Sequence, residues 1–226
     1  SIAIGPESLD ACTTGQYNIG IGSAALGSLT TADDNTVIGT NAGAAVTTGA
    51  SNVALGRSAL EANQTHSNST AIGYGALAAN VADDNTAVGS GALDANTTGN
   101  GHVAIGRNAL GANTTASENV AVGGNALAAV TTSAANVAVG YGALQNNTDE
   151  ENTAVGKNAM LDNTSGGYNV AVGSDTLANN TTADNNTAVG RNAMYANTTG
   201  AGNTAIGCIA LDAITTSSNN TAVGHE

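Results

Sequence analysis

The chain has 226 residues, a net charge of −13, no Phe or Trp, and only 9% charged residues against about 25% in ordinary domains. It is 41% hydrophobic, which excludes simple disorder, while 30 Gly and one Pro exclude a collagen-like helix. The acidic balance argues against nucleic-acid partners and anionic lipid, no apolar run is long enough for a membrane helix, and two Cys do not make a disulfide scaffold.

From the first residues onward the chain is a repeat of Asn-(Thr/Val)-Ala-(Val/Ile)-Gly. The closing glycines run from Gly5, Gly22 and Gly39 to Gly207 and Gly224, with eleven intervals of 17 residues and two of 16. Positions below are counted from that glycine. Position −1 is aliphatic, −2 is Ala except at Gly20 and Val37, −3 is Ile, Val or Thr, and −4 is Asn in eleven of fourteen repeats. Position +3 is nearly always Ala, +4 is Leu or Met except at Gly43, and +8/+9 are mostly Thr-Thr. The β-branched residues before the glycine predict a short strand. The Asn/Asp/Gly/Ser cluster before the next Asn predicts a turn. The Ala-Leu segments are too short to favour a helix.

The reading is all-β: a β-solenoid (β-roll) of about 13 coils, one per repeat, over residues 1–226 as one continuous domain. At the spacing of paired strands the coils would form a rod about 60 Å long, with Asn, Thr and Leu ladders. Both faces of the predicted strand are apolar, and a thin solenoid covers only one. The Ala row (Ala54, Ala71, Ala87, Ala104, Ala121, Ala138, Ala154, Ala171, Ala188 and Ala205) is therefore expected to be the seam of a parallel homotrimer.

Asn85-Thr-Ala-Val-Gly89 and Ser1-Ile-Ala-Ile-Gly5 resemble the head repeats of YadA-like trimeric adhesins. With the following Ala-Leu they are also similar to repeats of bacteriophage tail fibres. The resemblance covers essentially the whole chain, although the period is longer than the adhesin repeat. It implies a trimer of β-rolls, part of a longer fibre at a cell surface or on a virion. The expected function is a non-enzymatic shaft or head that spaces or presents attachment to a host or surface receptor. End-to-end stacking into an extracellular filament is the alternative, and a water-ordering, ice-binding Thr face a third reading.

The irregular positions follow in chain order. Cys12 and Cys208 are twelve coils apart and are expected to stay unpaired. Gly20-Ile-Gly22 mimics a dinucleotide fingerprint without its βαβ setting, and Gly156-Lys157 lacks the leading Gly of a phosphate loop. His66, His102 and His225 fall in different coils, as surface residues rather than ligands. All four bases, Arg57, Arg107, Lys157 and Arg191, occupy position +1, which predicts that this row is exposed. The 16-residue coils after Gly73 and Gly140 share Tyr-Gly-Ala-Leu and two acids before the next Asn: Asp83-Asp84 and Glu150-Glu151. Either they are duplicates of one ancestral coil, or these carboxylates hold a hard cation such as calcium. No other cofactor is expected.

Overall fold

The structure, a computed structural model, describes residues 1–225, and the chain forms two compact units, Ser1–Ser117 and Glu118–Glu226. The first contains β1 (Ile2–Ile4), β2 (Ile19–Ile21), β3 (Thr36–Ile38), β4 (Val53–Leu55), β5 (Thr70–Ile72), β6 (Thr86–Val88) and β7 (Val103–Ile105). The second contains β8 (Val120–Val122), β9 (Val137–Val139), β10 (Thr153–Val155), β11 (Val170–Val172), β12 (Thr187–Val189), β13 (Thr204–Ile206) and β14 (Thr221–Val223). Within each unit successive strands pair in parallel, and each residue faces its equivalent one repeat later, as Ala54 faces Ala71 and Ala154 faces Ala171. The expected β-solenoid is what the chain forms, and no described residue is helical. The short coils do not disturb the register: Thr70 pairs with Thr86, and Val137 with Thr153.

The glycine that closes each strand is required by close approach. At Gly89 (φ +140°) an added Cβ would lie 2.5 Å from the carbonyl oxygen of Gly106, in the coil above. Consecutive turns then replace the weak helical alternative. In the coil after Gly22, the amides of Ala25, Gly27 and Leu29 donate to the carbonyls of Gly22, Ala24 and Leu26. The first two turns carry positive φ at their third residue, Ala24 and Leu26, as type II turns require. The first such position is usually Asn or Gly, which tolerate it. The second is the Leu/Met row, held at φ between 49° and 57°. A left-handed residue with a Cβ costs about 1–2 kcal/mol. Burying the leucine returns about 1.5–3 kcal/mol, and Leu26, Leu60 and Leu110 are fully buried. Burial outweighs the backbone cost.

Two polar ladders complete the interior. At position −4, Asn152 Oδ1 accepts the amide of Asn169 at 3.0 Å, and its Nδ2 donates to the Gly166 carbonyl at 2.8 Å. The same pattern links Asn18 to Asn35 and Asn186 to Asn203. At position +7, Asn96 donates to Asn80 Oδ1 at 2.7 Å, and Asn163, Asn180 and Asn197 form a second such chain. These asparagines are fully buried. A buried amide is tolerated only when bonded, so each coil is fixed in height by its neighbours.

Candidate interaction face

The strand directions reverse one expectation. The Ala row from Ala54 to Ala205 is at most 1% exposed within the single chain. It faces the coil's own interior, against the Leu row: at Gly20, the same position, an added Cβ would lie 3.2 Å from Leu9 Cγ. Those ten alanines present no surface to another copy and are not a subunit seam. The physical reason is width. The gap between the strand and its facing turn leaves room for a methyl, so the small residues point in and the β-branched ones out.

Positions −3 and −1 therefore form an outward, largely apolar face in each unit, with −1 aliphatic throughout and −3 divided between Ile, Val and Thr. Leu55 is 45% exposed and Ile105 40% in the first, and Ile206 is 42% exposed in the second. Two rows border this face. On the C-terminal border lies position +1, where Arg57, Arg107, Lys157 and Arg191 are all exposed, as the spacing predicts. On the N-terminal border lies position −5, where Asp34, Asp84, Glu118 and Glu151 are exposed and take positive φ.

The acid pairs of the short coils are turn residues. Asp83 Oδ1 accepts the Ser67 amide at 2.6 Å, and Asp84 and Glu151 adopt left-handed φ near 60°. The carboxylates of Asp33 and Asp184 accept the amides of Gln16 and Gly167 in the same way. Among the described residues no three His, Cys, Asp or Glu side chains are placed to hold a metal ion, and no pocket is present. Both coils omit the second Thr of the Thr-Thr edge. In full coils the amides of both threonines share one carbonyl, as Thr97 and Thr98 share Thr114 O at 2.8 and 3.1 Å. The first Thr hydroxyl also donates to that oxygen, as Thr97 does at 2.8 Å, so that rank is turned toward the next coil.

His102 is a correction to the surface reading. It is 1% exposed and stands in the −4 ladder in place of Asn. Its backbone amide donates to Asn85 Oδ1 at 3.0 Å, and its Nε2 lies 2.6 Å from the Ala116 carbonyl. His225 is exposed and His66 half-buried. Cys12 and Cys208 are free thiols, as expected. Asp94 lies over Gly91 and Gly111, whose added Cβ atoms would lie 3.7 and 3.6 Å from its carboxylate oxygens. Desolvation there raises its carboxyl pKa above the ordinary value, opposed by hydrogen bonds from its own amide and that of Ala95.

The sequence reading missed the +7 ladder, although Asn recurs there in eight coils. It also missed a paired exchange on the two sides of Gly39. Val37 replaces the usual Ala and Gly43 the usual Leu, and an added Cβ at Gly43 would lie 3.6 Å from Val37 Cγ1. The chain is thus a β-solenoid repeat protein whose distinctive outward feature is an apolar sheet face between a basic and an acidic border. No protein-family model, curated protein or solved structure matches it.

Proposed function

We propose that the chain is a non-enzymatic structural segment of a homotrimeric fibre displayed outside the cell or on a virion, spacing and presenting attachment. The observation that carries this reading is the outward apolar face of the strands. Soluble monomers rarely leave large contiguous apolar patches open. In this reading the trimer seam is built from the β-branched rows, not from alanine. A chain stapled by buried amide ladders suits load-bearing, and the resemblance to adhesin and tail-fibre repeats points to the same use.

Sedimentation equilibrium tests it. The expected result is three times the 21.7 kDa chain mass, falling toward one chain in Leu55→Asp with Ile105→Asp while the circular dichroism of the strands persists. A wild-type monomer would overturn the proposal. Electron micrographs should show discrete short rods, and fibres of indefinite length would favour end-to-end stacking instead.

A further inference from the structure

The two borders of the outward face differ in kind from the rest of the surface. Every Arg and Lys lies on position +1, and no Asp or Glu does. Position −5 carries acids and no base. Four of the five tyrosines share these two rows: Tyr74 and Tyr141 at +1, Tyr17 and Tyr168 at −5, all exposed. Tyr and Arg are the residues that interfaces enrich. Each unit repeats the arrangement, with Arg57 and Arg107 opposed by Asp34 and Asp84 in the first, and Lys157 and Arg191 opposed by Glu118 and Glu151 in the second. The two acids just beyond the basic row, Glu7 and Asp175, fall in coils whose +1 residue is Pro6 or Ser174 rather than a base.

We infer that these borders are complementary edges by which copies of this chain recognise one another, the +1 border of one copy lying against the −5 border of the next. The inference rests on the oligomeric reading above and adds its orientation and its specificity. Copies rotated about an axis along the stacking direction bring unlike borders together. Copies related by a two-fold axis along the strands would set acid against acid and base against base. The charges therefore select the parallel arrangement and reject the antiparallel one, even though the apolar face between them would accept either. In height three of the four bases match an acid within one coil: Arg57 and Arg107 sit one coil beyond Asp34 and Asp84, and Lys157 and Glu151 flank the same glycine, whereas Arg191 lies two coils beyond Glu151. A coil step is about 4.8 Å, within reach of these side chains. The tyrosines extend the apolar contact to both borders with amphipathic rings.

Sedimentation velocity on four full-length proteins tests this, each checked by circular dichroism for an intact solenoid. They are the wild type, a basic-border variant (R57E, R107E, K157E, R191E), an acidic-border variant (D34K, D84K, E118K, E151K), and the eightfold variant that exchanges both. Each single-border variant should associate at least about tenfold more weakly at low salt, with the loss shrinking at about 0.5 M salt. The exchanged variant should recover most of the wild-type affinity, because unlike borders again meet. An oligomeric wild type indifferent to either border, or an exchanged variant no better than the single-border ones, overturns the inference alone. A monomeric wild type overturns the oligomeric reading itself.

Discussion

The residues flanking Gly39 offer a closed test of how the interior is packed. Elsewhere the facing pair at −2 and +4 is Ala with Leu or Met, apart from Gly20 at −2 of the preceding coil; here it is Val37 with Gly43. Val37 is fully buried. A Cβ at Gly43 would lie 3.2 Å from Leu26 Cδ2, 3.4 Å from Val46 Cγ2 and 3.6 Å from Val37 Cγ1, so the valine methyls occupy ground that a leucine fills in other coils. Val37→Ala should lose about 2–3 kcal/mol, as two buried methyls and a cavity beside Gly43. Gly43→Leu should lose about 1–3 kcal/mol through overpacking, with the left-handed φ of 54° adding to the strain. The double variant restores the pair used by the other coils, and Val130 beside Leu127 shows that a valine at +7 tolerates it. It should fall within about 1 kcal/mol of wild type, a coupling of at least about 2 kcal/mol between two positions that share space. Urea denaturation of the four proteins, followed by circular dichroism, completes the cycle. Additive losses would refute the packing argument, since they would mean the two positions do not share space.

Asn152→Ala should lower stability by about 1–3 kcal/mol in the same assay, because it orphans the buried Asn169 amide and leaves the Gly166 carbonyl with Asn163 as its remaining side-chain donor. His102→Asn should melt at or above the wild-type temperature, since Asn is the ladder residue, whereas His102→Leu should melt well below it. Asp94→Asn has a pH signature. A raised folded-state pKa means the folded chain holds that proton more tightly, so this group's contribution declines as pH rises from the ordinary carboxylate value through the folded one. The variant should gain on wild type across that window and match it at lower pH, read from melting temperatures. Melting in calcium and in chelator at matched ionic strength should coincide, because Asp83 is already engaged as a turn acceptor; a calcium-specific rise would restore the cation reading.

The period, the glycine row, the −4 ladder and the exposure of Arg57, Arg107, Lys157 and Arg191 were all legible as spacing. The inside of the strand was not. Ala and Val are both apolar, so alternation alone carries no sign, and only the narrowness of the coil decides that Ala71 points in and Ile72 out. The left-handed leucines were equally hidden. Leucine is no marker of positive φ, and the conformation at Leu60 or Leu110 is imposed by two linked turns and held by burial. The exchange of Val37 with Gly43 was readable as two departures from the repeat around one glycine, Gly39. It gained meaning only once the two positions were seen to face each other across the interior.

The missing threonine of the short coils marks where this architecture accepts change. Around most of a coil, amides are committed either to the next coil or to the turns within their own, as Leu26 donates to Ala42 O and Ala25 to Gly22 O. At the second Thr the amide only duplicates a bond its predecessor already makes, as Thr98 does beside Thr97 on Thr114 O. Residues can leave there without a shift in strand register, and by the same logic they can enter. Foreign loops spliced between Thr97 and Thr98, and between Thr198 and Thr199, would project from the edge of a coil away from the apolar face. Decorated on successive coils, that edge becomes a ruler for ligand display, graduated in steps of about 4.8 Å.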